Sequence, residues 1–488
     1  MASFKPFPIE ITNIEGGILT KYPKENLVPV SESALKELKD CVSAIYLDQE
    51  SRINASRDWW PITLKWATQN IVPQLPYCVA VVRSTQEVSD VLKICNAYKI
   101  PVTPIAGRSG VCGSAVPIKG GLSLDLSEFE GLKDLDEISL LAKFNPGTFG
   151  PNVDQLLAPY NLMFPHYPQS IDLSTVGGWL ACRSAGQFSN RFGKVDQMVA
   201  SIEVVLPDGN VVNLGTSGGR ASQGPDLMEL FLGSEGTLGV ITSATLKVDK
   251  KPEYVKKRAF SFKTFSDALN AIRKTIQDYA PIAVLRLYDK KESERHFQLS
   301  KNVLIALDQG NPAIVNACFS VLEKHCEDAE ILDESLVDHW LKTRNDVSAL
   351  GNLIKQGIIV DTAEVSGPWM KLTTLYNDVI NSLLKVEGII YASAHASHSY
   401  KDGGCLYFTF AGYKEDSGWE DALYKNAWQA ILDTVLKHNC QISHHHGIGL
   451  LKGPYLKQYL GKGFDLLKNI KHTIDPNNIL NPGKLGLP

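Results

Sequence analysis

The segment from Pro101 to Gly121, PVTPIAGRSGVCGSAVPIKGG, constrains the fold most, because glycines interrupt it between two apolar runs. The run IPVTPI that enters it and the run LSLDL that leaves it are typical of β-strands. Glycine adopts positive φ without strain and has no Cβ, so successive backbone N–H groups can turn toward one centre and approach a phosphate. The segment predicts a strand-loop-strand unit that binds an anion, with an ordinary surface loop as the alternative.

The spacing of these glycines argues against a dinucleotide-binding Rossmann fold. That fold requires G-x-G-x-x-G at the start of a helix, whereas no helical period follows this loop and LSLDL reads as another strand. We therefore do not expect a Rossmann crossover.

The length and composition bound the class of protein. A chain of 488 residues is too long for one ordinary core, so we expect two large domains with flanking segments. Hydrophobic residues make up 44% and charged residues 21%, which is usual for globular proteins. The net charge is −4 and no basic block is present, so nucleic acid is not an expected partner.

The cysteines and the chain ends indicate a compartment. Nine cysteines without a C-x-x-C pair argue against a disulfide framework and a thiolate zinc site. The sequence starts without an apolar signal region, ends in KLGLP rather than a peroxisomal address, and contains no stretch of membrane-spanning length. We predict a cytoplasmic protein without a transmembrane segment, and we leave peripheral contact with a membrane surface open.

Two further motifs follow the glycine loop in order, STVGGW at Ser174–Trp179 and LGSEGTLGVIT at Leu232–Thr242. From about Asp58 to the C-terminus, the chain resembles the vanillyl-alcohol oxidase/p-cresol methylhydroxylase superfamily. The resemblance implies an α+β fold, with a two-part FAD-binding domain of the p-cresol methylhydroxylase type and an α+β cap domain. Helices between the strands of the cap predict an antiparallel sheet covered by helices. The glycine loop contains Arg108 but no histidine, so FAD is expected to bind noncovalently.

Shifts in composition divide the chain. We predict an N-terminal lead-in and helix over residues 1–55, with Leu35, Leu38, Val42 and Ile45 on one helical face. The FAD-binding domain is predicted over residues 56–250, and the cap or substrate domain over residues 251–418, after the charged junction DKKPEYVKK. A C-terminal segment, residues 419–488, is expected to return to the FAD-binding domain.

The resemblance implies that the three glycine-containing segments line the flavin and its diphosphate. A Gly-Gly pair at the start of a helix also presents backbone amides that can meet an anion. The predicted cofactor-binding residues are Pro104, Ala106, Gly107, Arg108, Ser109, Gly110, Val111, Gly113, Ser114, Ser170, Asp172, Ser174, Thr175, Gly177, Gly178, Trp179, Ser184, Gly186, Glu235, Gly236, Gly239, Val240 and Ile241.

Three consecutive histidines, His444, His445 and His446, stand before Gly447. On a strand the outer two face one way and His445 the other, unless Gly447 bends the chain. These histidines and Tyr400 are the candidate catalytic residues, because histidine titrates near neutrality and neighbouring cations can lower the pKa of tyrosine. A polar surface cluster is the alternative. No His-x-x-x-His helix or acidic ligand accompanies them, so we predict no metal.

Three motifs narrow the resemblance to one branch of the superfamily. They are LRLYD at Leu285–Asp289, SYKDGGCLYFTF at Ser399–Phe410 and SHHHGIG at Ser443–Gly449. Together they resemble the alkyl-dihydroxyacetone-phosphate synthase branch. Related D-lactate, glycolate and 2-hydroxyglutarate dehydrogenases have Glu-His-Gly instead, in which the glutamate joins two histidines as metal ligands. In this chain His445 occupies the glutamate position and Tyr407 the position of the second histidine. His395 stands where the synthase branch has a substrate-binding arginine.

Arg286 is the expected anchor for an anionic substrate. It lies on the apolar strand AVLRLYD, where an unpaired guanidinium is costly, so we expect it to meet a carboxylate or phosphate. An ion pair with Asp289 is the alternative. The predicted substrate-binding residues are Arg286, His395, His398 and Arg344, with Arg183 as a further candidate.

We predict an FAD-dependent oxidoreductase that transfers a hydride from a small 2-hydroxy acid or related alcohol, such as D-lactate or glycolate, to the flavin. The alternatives are an alkyl-dihydroxyacetone-phosphate synthase, which exchanges an acyl for an alkyl group without net oxidation, and a non-enzymatic flavin-binding protein. The expected partners are a small-molecule substrate, an electron acceptor (quinone, cytochrome or electron-transfer protein) and a second copy in a homodimer.

Overall fold

The structure is a computed structural model that describes residues 6–11, 17–23, 27–415 and 418–488. The predicted N-terminal segment therefore lies partly outside the described residues. Among the described residues, every helix is too short or too polar to cross a lipid bilayer.

Up to Lys250 the chain forms short strands and helices. The strands are β1 Leu19–Thr20, β2 Ala44–Tyr46, β3 Ile71–Val72, β4 Cys78–Val81, β5 Val102–Ile105, β6 Leu122–Asp125, β7 Leu132–Asp136, β8 Leu141–Phe144, β9 Leu162–Met163, β10 Val199–Val205, β11 Val211–Gly215, β12 Val240–Lys247 and β13 Asp249–Lys250. The helices are α1 Glu32–Cys41, α2 Gln49–Asn54, α3 Pro61–Ala67, α4 Thr85–Tyr98, α5 Gly150–Leu157, α6 Val176–Cys182, α7 Ser189–Phe192 and α8 Val195–Met198.

The remainder of the chain has longer elements. Its strands are β14 Tyr254–Phe262, β15 Val284–Tyr288, β16 Asn302–Gly310, β17 Glu330–Leu332, β18 Ile359–Pro368, β19 Ile389–Ser399 and β20 Gly403–Gly412. Its helices are α9 Phe265–Gln277, α10 Lys290–Phe297, α11 Pro312–His325, α12 Ser335–Thr343, α13 Ser348–Lys355, α14 Trp369–Leu384, α15 Glu420–Lys437, α16 Gly453–Leu460 and α17 Lys462–Ile474.

The glycine loop connects two neighbouring strands of a four-stranded sheet, whose order is β2-β4-β6-β5. Strands β5 and β6 run parallel, with Val102 opposite Leu122. The loop alone carries the chain from the end of β5 back to the start of β6, since no helix lies between them. The predicted strand-loop-strand unit is confirmed, and the loop follows the carboxyl end of β5.

The first helix is shorter than predicted. It begins after Ser31, whose side chain accepts a hydrogen bond from the backbone N–H of Ala34, and it ends at Cys41. Val42 has extended backbone angles, and Ile45 pairs with Ala80 in the antiparallel β2–β4 ladder. The predicted common helical face of Leu35, Leu38, Val42 and Ile45 is therefore wrong at its last two positions, because sheet pairing prevails over helical spacing for these β-branched residues.

A second, five-stranded antiparallel sheet has the order β11-β10-β12-β8-β7. Asp208 and Gly209 form the tight turn between β10 and β11, as the sequence predicts, and Gly209 has a φ of 83°. Helix α6 packs on β12. This sheet and the four-stranded sheet form the two parts of the predicted FAD-binding domain.

The cap is a seven-stranded antiparallel sheet with the order β17-β14-β16-β15-β19-β20-β18. Leu285 and Leu287 of β15 are fully buried in the core under helices α9, α11, α14 and α15. Successive side chains on a strand alternate between faces, so Arg286 lies on the opposite face. The predicted antiparallel sheet covered by helices is confirmed. The opposite face carries the polar residues, and α12 packs on part of it through Val337 and Trp340.

We expect Gly107→Ala to destabilise the glycine loop. A Cβ at Gly107 falls 2.2 Å from the carbonyl oxygen of Leu173, so the backbone must shift, and overpacking of this kind costs about 1–3 kcal/mol. Gly463→Ala in α17 is the matched control, because its Cβ meets nothing closer than 3.7 Å. Thermal melting should show a clear loss for Gly107→Ala and none for Gly463→Ala. Equal melting temperatures would contradict this packing.

Candidate active site

A cavity of about 490 Å³ lies between the two sheets of the FAD-binding domain and the polar face of the cap sheet. This volume falls within the range of roughly 300–1,000 Å³ that is usual for ligand pockets. One wall comes from the glycine loop, the start of α6 and the loop before β12, and the other from β15, β18, β19 and β20.

Most of the residues predicted to bind the cofactor line this cavity. They are Pro104, Ala106, Gly107, Arg108, Ser109, Gly110, Val111, Ser114, Ser170, Ser174, Thr175, Gly177, Gly178, Trp179, Ser184, Glu235, Gly236, Gly239, Val240 and Ile241. Their role as cofactor ligands stays a prediction.

Three of the predicted cofactor residues, Gly113, Asp172 and Gly186, do not line the cavity. Gly113 has a φ of 80°, and a Cβ there falls 2.7 Å from the ring of Trp60. A Cβ at Gly186 falls 2.6 Å from the backbone nitrogen of Tyr167. These glycines permit close packing within the protein, which their sequence context does not distinguish from close approach to a ligand.

The cavity wall fits a flavin dinucleotide. Among the described residues, the backbone N–H groups of Ser109, Gly110 and Val111 donate no hydrogen bond within the protein, so they are available to a pyrophosphate. Arg108 and Glu235 have positive φ values of 54° and 51°. Such backbone angles are costly for residues with a Cβ and are concentrated at ligand sites.

The three consecutive histidines lie in a bend instead of a strand. The preceding segment makes a single bridge, between Ser366 and Gln441. The backbone N–H groups of His444, His445 and His446 all donate to Oε1 of Glu364, at 3.1, 3.2 and 2.8 Å. The alternation expected on a strand does not apply, because these N–H groups converge on one carboxylate, and the bend that was the stated exception is the observed conformation. Gly447, with a φ of 81°, then turns the chain.

Glu364 is fully buried in β18 and forms the centre of a charged cluster. Its oxygens lie 3.0 and 2.8 Å from Nζ of the equally buried Lys452, and Oε2 lies 3.1 Å from Nδ1 of His446. Burial acts to raise the pKa of Glu364, but His446 and Lys452 outweigh burial and hold this pKa well below its usual range. Glu364 is therefore an anion that fixes the position of the histidine bend.

A second buried carboxylate, Glu235, holds the other end of the bend. It accepts hydrogen bonds from the backbone N–H groups of Ile448, at 2.6 Å, and Gly449, at 3.1 and 2.9 Å. Asn481 donates to the backbone carbonyl of Glu235 and so attaches the C-terminal segment to the same loop. The bend is thus held by one acid from the FAD-binding domain and one from the cap.

The imidazoles form a hydrogen-bonded group. Nδ1 of His444 lies 2.8 Å from Nδ1 of His445, and Nε2 of His444 lies 2.6 Å from the hydroxyl of Tyr400. His398 stacks on His444 with ring centres 4.7 Å apart. Burial lowers the pKa of His444 to about 4 and the pKa values of His445 and His398 well below the ordinary value. These imidazoles are therefore neutral at pH 7, which is the form of a general base.

Ring nitrogens of His398, His444 and His445 lie within 4.8 Å of one another, a separation within reach of a shared metal ion. The 2.8 Å contact between two of them is a hydrogen bond, which requires a proton on one ring. We therefore describe a hydrogen-bonded pair, and the predicted absence of a metal stays a prediction.

The candidate catalytic residues divide into two groups. His445 and His446 line the cavity, whereas His444 and Tyr400 do not. Burial raises the pKa of Tyr400, although Nζ of Lys194 lies 4.7 Å from the centre of its ring. The expectation that cations lower this pKa is wrong, because desolvation of the phenolate dominates.

All four predicted substrate-binding residues, Arg286, His395, His398 and Arg344, line the cavity. Nη2 of Arg286 lies 2.6 Å from Nε2 of His395. Nη1 of Arg344 donates to the side chain of Gln187 at 3.0 Å. Within the described part of the chain, neither guanidinium has a carboxylate at ion-pair distance. Both are therefore available to an anionic ligand.

The alternative role for Arg286, an ion pair with Asp289, is wrong. Asp289 caps α10 by accepting from the backbone N–H of Glu292 at 2.8 Å, and it also accepts from the N–H of Ala394 and the hydroxyl of Tyr376. The further anchor candidate, Arg183, pairs with Asp196 and Glu229 outside the cavity.

Sequence reasoning missed several polar residues of the cavity: Asp361, Glu292, Arg295, His296 and Tyr407. Glu292, Arg295 and His296 share one face of α10. Their i, i+3, i+4 spacing directly after LRLYD could have identified them from the sequence. Burial raises the pKa of Asp361 to about 6, and Tyr424 and Trp428 donate to this carboxylate. No local pattern marks Asp361, because its partners come from α15.

Tyr407 was placed in a motif but not in the predicted site. Its ring stacks between those of His395 and His445, with centres 4.6 and 5.9 Å away. Its hydroxyl lies 2.9 Å from Oγ1 of Thr362. Burial raises the pKa of Tyr407, so this residue contributes a neutral hydroxyl to the cavity wall.

Known proteins resemble this chain in sequence and in fold. Residues 76–215 match the model of the FAD binding domain, and residues 251–485 match the model of the C-terminal domain of FAD linked oxidases. The FAD-linked oxidoreductase YgcU of Escherichia coli (strain K12) is 30% identical over 84% of this chain and 89% of its own length.

Two other relatives are named for an enzymatic activity. Alkyldihydroxyacetonephosphate synthase of Dictyostelium discoideum is 28% identical over 85% of this chain and 74% of its own length. Glycolate oxidase subunit GlcD of Bacillus subtilis (strain 168) is 27% identical over 84% of this chain and 89% of its own length. A solved alkyldihydroxyacetonephosphate synthase superimposes with a TM-score of 0.79 at 25% identity, covering 98% of this chain and 90% of that one.

We expect Glu364→Gln to destabilise the protein by about 3–5 kcal/mol, because it leaves the charge of Lys452 buried without a partner. Glu387→Gln is the control, since Glu387 makes an exposed pair with Lys414 and should change little. Denaturant unfolding measures both. Equal effects of the two substitutions would contradict the role of the buried cluster.

The difference in stability between wild type and Glu364→Gln should depend on pH. The pKa of Glu364 is depressed in the folded state from an ordinary value of 4.5, so its stabilisation is present above that value and is lost as the pH falls toward the folded pKa. The stability difference between wild type and Glu364→Gln should therefore shrink below about pH 4.5. A difference that stays constant down to the acid limit of folding would contradict this.

Proposed function

Because this chain belongs to the family of FAD-linked oxidases, we propose that it oxidises a small hydroxylated acid by transfer of a hydride to FAD. One observation supports this most directly: a single cavity has a glycine-rich wall that fits FAD and an opposite wall with unpaired guanidiniums and neutral imidazoles. When bound, FAD supplies the hydride acceptor, and a separate electron acceptor must later reoxidise it.

Arg286 and Arg344 bind the acidic group of the substrate in this proposal. Burial lowers the pKa of Arg344, and the nearby charge of Arg286 lowers it further, so the two guanidiniums repel each other across the cavity. A carboxylate or phosphate between them relieves this repulsion, and a planar guanidinium can donate two parallel hydrogen bonds to it. These arginines orient the substrate under the cap sheet.

His445 is the proposed general base. Its Nδ1 is engaged by His444, which leaves Nε2 for the hydroxyl proton of the substrate. As this proton leaves the oxygen, the hydrogen on the adjacent carbon departs with its electron pair, and the alcohol becomes a carbonyl. His446 lies beside it, with Nδ1 facing Glu364, and lines the same wall.

A second function, that of an alkyl-dihydroxyacetone-phosphate synthase, is supported by a different observation. An apolar part of the cavity wall is formed by Trp340 of α12 and by Leu350 and Leu353 of α13. A wall of this kind suits a hydrocarbon chain better than it suits a small acid. That reaction is redox-neutral, so the two proposals differ in whether a hydroxy acid alone reduces the cofactor.

We expect D-lactate, glycolate or 2-hydroxyglutarate to bleach the flavin absorbance of the oxidised protein under anaerobic conditions. His445→Ala should retain FAD and slow this bleaching by about 10²–10⁴-fold, which is the usual contribution of a general base. His472→Ala is the control, because His472 is exposed on α17. The proposal fails if none of the hydroxy acids bleaches the flavin. His445 is not the base if His445→Ala reacts as fast as wild type.

Arg286→Lys keeps the charge but loses the planar fork, so we expect weaker substrate binding at a nearly unchanged melting temperature. Arg344→Lys should behave in the same way. Arg83→Lys is the control, because Arg83 pairs with Glu128 on the surface. Titration of the substrate against the rate of flavin bleaching gives the apparent affinity. An unchanged affinity for Arg286→Lys would remove Arg286 from the site.

A further inference from the structure

His444 has an unexplained position in the site. It does not line the cavity, yet Nδ1 contacts the cavity-facing His445 at 2.8 Å and Nε2 contacts the hydroxyl of Tyr400 at 2.6 Å. Both of its ring nitrogens are therefore engaged, one toward the cavity and one away from it. An imidazole with both nitrogens in hydrogen bonds can accept a proton at one and release a proton from the other.

The outer end of this chain of contacts approaches solvent. Tyr400 is only partly buried and does not line the cavity, and the partly buried Lys194 lies 4.7 Å from the centre of its ring. His398 contacts Ser189 at 2.6 Å and stacks on His444, and Ser189 in turn hydrogen-bonds to Tyr400, so His398 supports both members of the chain from the side. The contacts lead from the cavity to Tyr400, which is partly buried.

The charges around His444 favour a neutral ring. Burial lowers its pKa, and Lys194 and His446 lower it further, whereas Glu364 and Asp196 raise it. His445 faces His446, His444, His398 and Glu364, and burial again has the largest effect. A neutral pair cannot store a proton, so a proton accepted at one end must be released at the other.

We propose that His444 and Tyr400 relay to the surface the proton that His445 takes from the substrate. This inference rests on the proposed function, because oxidation of the hydroxyl group releases that proton. His444 and Tyr400 are positioning residues in this sense, because they act through His445 and do not touch the substrate.

The relay is balanced in protons and leaves every ring neutral. The hydroxyl proton binds Nε2 of His445, Nδ1–H of His445 passes its proton to Nδ1 of His444, and Nε2–H of His444 passes its proton to the hydroxyl oxygen of Tyr400. Tyr400 releases its own proton to solvent. The directions of the two hydrogen bonds reverse, and each histidine changes tautomer without gaining charge.

His444→Gln and Tyr400→Phe test the relay, because both keep the approximate shape and neither transfers a proton along the chain. We expect each to slow flavin bleaching by a hydroxy acid about 10²-fold while FAD stays bound. Added imidazole should restore much of the rate by carrying the proton directly to solvent. Tyr459→Phe is the control, because Tyr459 is exposed on α16 and does not line the cavity.

The outcomes separate a relay from a packing role. Slow bleaching that imidazole does not restore would mean that His444 and Tyr400 serve packing, and the proposal would be overturned. Wild-type rates in both variants would overturn it as well. A stoichiometric metal ion held by the histidines, removed by a chelator with loss of activity, would also overturn it.

A second measurement needs no substrate, so it distinguishes failure of the relay from failure of the proposed function. Photoreduction of the bound FAD in the presence of a pH-indicator dye follows proton uptake by the cavity. We expect slower uptake in His444→Gln and Tyr400→Phe than in wild type and Tyr459→Phe. If hydroxy acids fail to bleach the flavin but uptake slows in these variants, the relay stands and the substrate class is wrong. Equal uptake in all four proteins overturns the relay.

Discussion

The buried carboxylate of Glu364 is the interaction on which the candidate site depends. It gathers three successive backbone N–H groups and the charge of Lys452 at one point, although it lies 80 residues before His444 in the chain. Such a buried pair contributes little net stability, because desolvation offsets much of the attraction. Its effect is geometric: the N–H groups have no comparable partner elsewhere, so the bend keeps one shape.

Glu235 repeats this arrangement from the other side. The two carboxylates belong to different domains, and the bend between them presents its imidazoles to a cavity that both domains enclose. A shift of the cap relative to the FAD-binding domain therefore moves the acceptor of one set of N–H groups against that of the other. The imidazoles keep their register with the glycine-rich wall only while both acids are engaged.

Local signals allowed much of the fold to be predicted, because they act between near neighbours. The glycine loop and the Asp208-Gly209 turn depend on backbone angles and bonds within a few residues. The bend at His444 could not be predicted in this way, since its shape is set by an acid from a distant strand. Ile45 was assigned to a helix for the same reason: its partner, Ala80, lies in another element.

Charge also explains how the group of imidazoles in this site is built. The sequence resemblance implies that related dehydrogenases have a glutamate at the position of His445 and a histidine at the position of Tyr407. The rings of His445 and Tyr407 are neutral here, because burial lowers the pKa of His445 and raises that of Tyr407. The arginines that line the cavity are Arg108, Arg286, Arg295 and Arg344, whereas the hydrogen-bonded pair of His444 and His445 is neutral. In the proposed function, anion binding and proton transfer therefore fall to separate residues, although burial and, with it, the charge of Arg286 lower the pKa of the neighbouring His398.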